Sequence, residues 1–344
     1  MKTHIFEMPE QQPTDYAHME KEGGVPSAPM DTRGESNQGG MNRRRTPFAR
    51  IPALVWSGAM AFILATSLGA IWTVLITINT AASPAIPWAV AVMALLLWVM
   101  WQYMGGRWWP RSTSQARRRY MRARRLPGRV FAWAVVAGLL SITALVGYWI
   151  VLLQLIKIPT RVAPNFSGYP LLTAILALVM ASLVSSLAEE VSFRGYFQGI
   201  LEQKVSGPVA IVIAALLISP GHSLTQGFLW PIVLWYFFSD VMFGAMAYFT
   251  KSILPSAVVH SIGLLIFFTL VWPYDAQRRL IWETGANTGF WINAAQAIIF
   301  TVLALLAFSR LAMVTKRTQA VRDNPQGYLK VRREPSKRRT ASKG

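Results

Sequence analysis

Residues 171–197 read LLTAILALVMASLVSSLAEEVSFRGYF. The first part of this segment is apolar and approaches the roughly 20 residues needed to cross the hydrocarbon core of a bilayer. Glu189 and Glu190 follow side by side, and apolar character continues beyond them at Val191 and Phe193. A carboxylate at membrane depth is costly unless it is paired, neutral or hydrated, so the acidic pair predicts a functional site. The alternative is that the pair only marks the interfacial end of the span.

The whole chain has the composition of a membrane protein. Of its 344 residues 53% are hydrophobic and only 14% are charged, and 14 are Trp. This excess of apolar residues exceeds what a soluble domain buries. We therefore predict an all-α polytopic transmembrane helical bundle of about eight spans. The apolar runs cover about 51–79, 87–104, 130–156, 170–189, 207–219, 228–249, 253–271 and 290–314.

The placement of the basic residues predicts the topology. Nine arginines fall within the segment 105–129, and the last 30 residues contain ten Lys or Arg. Because cytoplasmic segments carry the excess of Lys and Arg, we expect a multi-pass plasma-membrane protein with both termini in the cytoplasm. The net charge of +19 is thus assigned to topology and contact with the lipid bilayer, and no nucleic-acid partner is predicted.

The chain divides into three predicted regions. Residues 1–46 contain seven acidic residues with Pro, Gly and Gln and show no hydrophobic periodicity, which is typical of a disordered tail. Residues 47–314 form the membrane domain, and residues 315–344 form a basic cytoplasmic tail. The chain has no cysteine, so a thiolate metal site and a Cys nucleophile are excluded. No Gly-rich phosphate loop precedes a helix, so nucleotide binding has no support.

Five polar residues within or close to the apolar runs are candidates for a joint site. Glu190 and Arg194 are four residues apart, so they share one helical face and can pair, while Glu189 is turned by roughly 100°. Outside the N-terminal tail the chain has only two histidines, His222 and His260, and both fall at or within apolar runs. A lone buried histidine is more often structural, but two of them beside an acidic pair favour a shared site.

These residues resemble the CAAX prenyl protease type II and bacteriocin-processing (CPBP, also ABI) family of intramembrane proteases. Glu189, Glu190 and Arg194 match its Glu-Glu-x-x-x-Arg motif. His222 matches the histidine of its Phe-x-x-x-His motif, with Ile218 in place of Phe. His260 matches the histidine of its His-x-x-x-Asn or Asp motif, with Leu264 at the last position. The resemblance covers about residues 170–270.

The resemblance implies an endopeptidase that cleaves a membrane peptide or protein substrate. Its catalytic residues would be Glu189, Glu190, Arg194, His222 and His260, with Glu189 and His222 polarising a water and His260 stabilising the oxyanion. No cofactor is assigned. A metalloprotease is the second version, in which Glu189, His222 and His260 hold a zinc ion and leave one position for water.

Two other classes of function stay open at this point. Leu264 cannot donate the hydrogen bond of the family's Asn, which favours a catalytically silent scaffold or immunity protein. Asp240 and the short fifth run favour a secondary transporter with an ion site, although no inverted repeat is visible. An interhelical hydrogen bond is the simpler explanation for Asp240. The sequence does not predict the oligomeric state.

Overall fold

The computed structural model describes residues 47–158, 168–222, 228–271 and 279–323. Within these ranges the chain is helical and forms no strand. The described helices all belong to one compact unit. The predicted disordered tail, residues 1–46, lies outside the described residues, and so does the end of the chain after residue 323.

Six helices in the described ranges are long and apolar enough to cross a membrane. Two shorter apolar helices accompany them. The all-helical polytopic fold with about eight spans is therefore confirmed. The long helices are α1 (Pro47–Ala82), α4 (Gly128–Leu155), α5 (Leu171–Glu189) with its continuation to Leu201, α8 (Trp230–Thr250), α9 (Leu254–Ile266) with its continuation to Val271, and α11 (Thr288–Asp323); the short ones are α2 (Trp88–Met104) and α7 (Gly207–Ile218).

The arginine-rich segment between α2 and α4 contains regular structure. It contains a short 3-10 turn at Arg111–Thr113 and the helix α3 (Ser114–Met121). Arg117 and Arg122 are buried, because both guanidinium groups bond to backbone carbonyls or to a carboxylate within the protein. Two further short helices are α6 (Gln198–Leu201) and α10 (Ile281–Thr284).

The helices pack closely where small residues remove side-chain bulk. A Cβ atom on Gly138 of α4 would lie 2.8 Å from the side chain of Val259 on α9. A Cβ atom on Gly147 of the same helix would lie 2.8 Å from a backbone oxygen of α11. Small residues allow this approach in membrane helices, where the lipid gives no hydrophobic drive for association. Helix α4 is thereby held against both α9 and α11.

An apolar cavity of about 920 Å³ lies between α4, α8 and α11. Leu145, Phe238, Met242 and Leu305 are among the residues that line it. None of the predicted site residues does, so this cavity is separate from the candidate site described below.

The C-terminal span is longer than the sequence predicts. Helix α11 continues without interruption to Asp323, so the first nine residues of the predicted basic tail are helical. The segment after Thr315 contains good helix formers such as Lys, Arg, Gln and Ala, and the first proline that could end the helix is Pro325. The boundary predicted at residue 314 reflects the end of apolar character and does not mark the end of the helix.

Candidate active site

The acidic pair lies inside a continuous helical span. Helix α5 ends at Glu189 and passes into a π-helical segment, Glu190–Phe197, and then into α6. The span therefore extends to Leu201 and does not stop at the acidic pair. The π-helical segment widens the helix locally, and such segments are frequent at functional sites. The interfacial explanation for the pair is therefore disfavoured.

Arg194 is the hub of the polar cluster. Its Nη2 donates a short hydrogen bond to Asp240 Oδ1 on α8. Its Nε lies 3.6 Å from Glu190 Oε1, and its Nη1 lies 3.7 Å from Glu189 Oε2. The i, i+4 pair with Glu190 is thus present, but Arg194 also faces Glu189 and bonds most closely to Asp240. Three carboxyl groups therefore surround one guanidinium.

The two glutamates have different surroundings. Glu190 is fully buried, and its Oε2 accepts a hydrogen bond of 2.5 Å from Ser256 Oγ. Its Oε1 lies 3.1 Å from His260 Nδ1. Glu189 has no such enclosure, since 19% of its side chain is exposed. Glu190 is therefore held by its neighbours, while Glu189 is the carboxylate that a water or a substrate can reach.

His260 lies between the two glutamates. Its Nδ1 contacts Glu190, and its Nε2 lies 3.9 Å from Glu189 Oε2. The ring stacks on Phe243 of α8 with 4.2 Å between the ring centroids. The contact at Nδ1 sets the orientation of the ring and directs Nε2 toward Glu189.

His222 approaches the cluster from a break in the fifth apolar run. Helix α7 ends at Ile218, and a 3-10 turn, Ser219–His222, follows. Pro220 has no N–H for an α-helical hydrogen bond, which accounts for the change of geometry. The imidazole stacks on Tyr236 with 3.9 Å between the ring centroids. A ligand-type nitrogen of His222 lies within 4.8 Å of carboxylate oxygens of Glu189 and Asp240.

The predicted metal-ligand set is not the set that converges. Among the described residues Glu189 and His222 gather with Asp240, and His260 is not part of that group. Both Asp240 oxygens already accept hydrogen bonds, from Arg194 and from Ser219 Oγ at 2.9 Å. A divalent cation there would also lie beside a buried guanidinium, which repels it. The residues present do not fit a zinc ion well.

The sequence predicted five site residues, and the structure brings all five into one cluster. The predicted site did not include Asp240 or Ser256, although both residues bond to it. Asp240 was noticeable because an acidic residue within a span is costly, and its contacts with Arg194 and Ser219 agree with the predicted interhelical bond. Ser256 carries no signal of its own in the sequence.

Leu264 follows His260 by one turn of α9, so the position of the family's Asn is apolar. Ser261, the residue after His260, has a hydroxyl that could serve as a replacement donor. Its Oγ bonds to the carbonyl of Ala257 at 2.8 Å and lies 2.5 Å from Ser186 Oγ on α5. Both contacts engage the hydroxyl in helix packing.

Residues 171–266 match the model of one protein family, described as type II CAAX prenyl endopeptidase Rce1-like. No curated protein and no solved structure matches the chain. The matched segment runs from the start of α5 to the end of α9, so it contains all five predicted site residues and Asp240. The resemblance seen in the motifs is confirmed: the chain is a multi-pass membrane protein whose segment 171–266 is similar to the Rce1-like type II CAAX prenyl endopeptidases.

Proposed function

We propose that this chain is an intramembrane endopeptidase of the CAAX protease type, in which Glu189 activates a water that attacks a peptide bond of a membrane-associated substrate. The observation that carries the proposal is the difference between the two adjacent glutamates. Glu190 is fully buried and bonded, while Glu189 is partly exposed beside Arg194 and both histidines. A site with one fixed and one accessible carboxylate suits general-base catalysis.

In this mechanism Glu189 takes a proton from the water while the water oxygen attacks the carbonyl carbon of the substrate. His222 lies close enough to Glu189 to bind the same water. The C–N bond then breaks as the proton held by Glu189 passes to the departing nitrogen. The products are a carboxylic acid and an amine, and Glu189 returns to the carboxylate form.

His260 supports this mechanism through its position. Its Nδ1 lies 3.1 Å from Glu190 Oε1, and its Nε2 lies 3.9 Å from Glu189 Oε2, so an N–H at Nε2 would point to the side of Glu189 where the oxyanion forms. Arg194 Nη1 is buried without a hydrogen-bond partner among the described residues, which leaves a second donor beside Glu189.

The proposed reaction does not use a metal ion. Arg194 already brings a positive charge to Glu189 and Asp240, and Asp240 also accepts a hydrogen bond from Ser219. The proposed location is the plasma membrane, with both termini in the cytoplasm, and the proposed substrate is a membrane peptide or protein.

A catalytically silent scaffold is the second candidate, and Leu264 is the observation that favours it. Losing one oxyanion donor typically lowers kcat by about 10²–10³. An immunity protein or a scaffold would tolerate this substitution, since it needs the fold and a binding surface but no reaction.

The purified protein, reconstituted in lipid nanodiscs with a library of membrane-anchored peptides, tests the proposal by mass spectrometry of cleavage products. We expect Glu189→Gln and His222→Ala each to lower cleavage by at least about 10²-fold, because the base or its partner is lost. Glu283→Gln, the same chemical change at an exposed carboxylate on α10, should leave cleavage unchanged.

A chelator should have no effect on the wild-type protein. Cleavage that needs added zinc would replace the water-activation proposal with the metalloprotease version. Absence of cleavage of every peptide, together with a cellular phenotype that survives Glu189→Gln, would favour the scaffold.

A further inference from the structure

Helix α8 contains none of the motif residues, yet one of its faces contacts three of them. Tyr236, Asp240 and Phe243 are spaced by four and three residues, so they project from the same side of the helix. Tyr236 stacks on His222, Asp240 bonds to Arg194, and Phe243 stacks on His260. This face of α8 is the surface against which the site is assembled.

Asp240 is the polar centre of this face, and it joins two separate elements. Its Oδ1 accepts a hydrogen bond from Arg194 in the π-helical segment. Its Oδ2 accepts a hydrogen bond of 2.9 Å from Ser219 Oγ, at the start of the 3-10 turn that ends at His222. Only 4% of the Asp240 side chain is exposed, so water competes little for either bond.

The bond to Ser219 lies where helix α7 changes geometry. The single Ser219 hydroxyl proton is shared between Asp240 Oδ2 and the carbonyl oxygen of Ala215, which lies 2.6 Å from Ser219 Oγ, so the serine links α7 to α8. Because Pro220 interrupts the α-helical hydrogen bonds, the direction of the turn depends on such side-chain contacts. Holding Ser219 in place therefore fixes His222, three residues later.

The bond from Arg194 to Asp240 determines how the guanidinium is shared among Asp240, Glu189 and Glu190. Without the Asp240 carboxylate, Arg194 would keep only the two glutamates as ionic partners, at 3.6 and 3.7 Å. A closer pair between Arg194 and Glu189 would then draw the general base away from the water. Asp240 holds the guanidinium at a distance from Glu189 that leaves this carboxylate available.

We propose that Asp240 is the positioning residue of this site: it anchors Arg194 with one oxygen and, through Ser219, anchors the turn that aims His222 with the other. The consequence for catalysis rests on the proposed function, while the positioning of His222 does not. Because Asp240 is almost fully buried and bonds to Arg194 and Ser219, we infer that it acts through these two residues.

Histidine NMR tests the positioning without any substrate. The chain has four histidines, and two of them, His4 and His18, precede the membrane domain, so His222 and His260 give two assignable imidazole signals in protein labelled with 15N-histidine. Ser219→Ala should shift and broaden the His222 signal and leave the His260 signal in place. Asp240→Asn should change both signals, because it also alters the pairing of Arg194 with Glu190.

Two serine variants control for a general loss of packing. Ser219→Thr keeps the hydroxyl and should restore the wild-type His222 signal. Ser182→Ala removes another buried serine, whose hydroxyl bonds to the Leu178 carbonyl on its own helix, and should leave both signals unchanged. If Asp240→Asn does not fold, the comparison of Ser219→Ala with Ser219→Thr still tests the proposal. A His222 signal in Ser219→Ala that matches Ser182→Ala would overturn the proposal.

Kinetics on a cleaved peptide then measure the consequence for the proposed function. Ser219→Ala should lower kcat by about 10- to 100-fold with little change in KM, since a displaced catalytic group loses rate more than binding. A shifted His222 signal in a protein that cleaves no peptide would support the positioning role and reject the protease. An unshifted His222 signal in a Ser219→Ala variant of an active protease would support the protease and reject the positioning role.

Discussion

At the residue scale, the charged contacts of the site divide into those that the sequence can predict and those that it cannot. The pair of Glu190 with Arg194 follows from helical periodicity, because both residues lie on one helix four positions apart. The closer bond of Arg194 to Asp240 joins residues 46 positions apart on different helices. Periodicity along one helix gives no information on such a contact, which depends on how α5 and α8 pack.

For the two histidines, too, the sequence predicts one part of the site and misses another. Their number and their place in apolar runs identified both as candidates. Their orientation depends on Phe243 and Tyr236, which the sequence presents as ordinary aromatic residues of a span. Aromatic residues are frequent in membrane helices, so nothing in the sequence distinguished these two as ring partners.

Leu264→Asn is the sharpest substitution at this scale. An Asn side chain one turn after His260 could donate a hydrogen bond to the oxyanion, which Leu cannot. If the protein is a protease that lacks one donor, the variant should gain up to about 10²-fold in kcat. Cleavage of the same membrane-anchored peptides, measured as initial rates, would detect the gain.

Leu265→Asn is the matched control, since it makes the same change at the next residue of α9, turned by roughly 100° around the helix. It should give no gain. Equal rates for the two variants would mean that an Asn at position 264 supplies no oxyanion donor.

At the element scale, the π-helical segment Glu190–Phe197 contains two of the site residues, Glu190 and Arg194. The apolar run predicted a span ending near residue 189, whereas the helix continues to Leu201 through a π-helical segment. Polar residues within this segment lower its apolar average, so a hydropathy argument ends the span too early. The π-helical hydrogen bonding itself has no sequence signature in a single chain.

The end of this element is held by an ion cluster. Arg122 bonds to Glu202 in a bidentate manner at 3.0 and 3.2 Å, and Lys251 Nζ lies 3.1 Å from the same carboxylate. Burial acts to raise the pKa of Glu202, but the charge and hydrogen bonds of Arg122, the hydrogen bond of Gln198 and the charge of Lys251 together hold the pKa below its ordinary value.

The lowered pKa of Glu202 predicts a loss of stability in acid. A carboxylate with a depressed pKa in the folded protein stabilises it fully above its unfolded pKa, about 4.3, and the stabilisation is lost as the pH falls through the folded value. In detergent, the melting temperature should therefore fall below about pH 4, and Glu202→Gln should fall less over that range.

Glu283→Gln, at an exposed carboxylate, should keep the pH profile of the wild-type protein. A Glu202→Gln profile with the same acid-dependent fall as the wild type would show that this ion cluster does not contribute to pH-dependent stability.

At the scale of the whole molecule, the ion cluster constrains the path of the chain. Arg122 precedes α4, Glu202 follows α6, and Lys251 lies between α8 and α9. Because all three side chains meet, these connections lie at one end of the bundle. The chain must leave that end after Glu202 and return before Lys251, so α7 and α8 together make a round trip. This supports a crossing by the short fifth run.

The last prediction concerns the sidedness of the two ends. Helix α9 carries the chain from Lys251 to the opposite end of the bundle, so Asn287, which precedes α11, should lie opposite to Gln115 on α3. Cysteines introduced singly into this cysteine-free chain at Gln115 and Asn287 should therefore be labelled from opposite sides by an impermeant maleimide. Because of the excess of arginine in its segment, we expect Gln115 to lie on the cytoplasmic side. Gln203 is exposed, follows Glu202 and accepts a hydrogen bond from Arg119 of α3. Gln203→Cys should therefore be labelled from the same side as Gln115→Cys. Labelling of Asn287→Cys from that side as well would mean that α9 does not cross the membrane, and the count of eight spans would then be wrong.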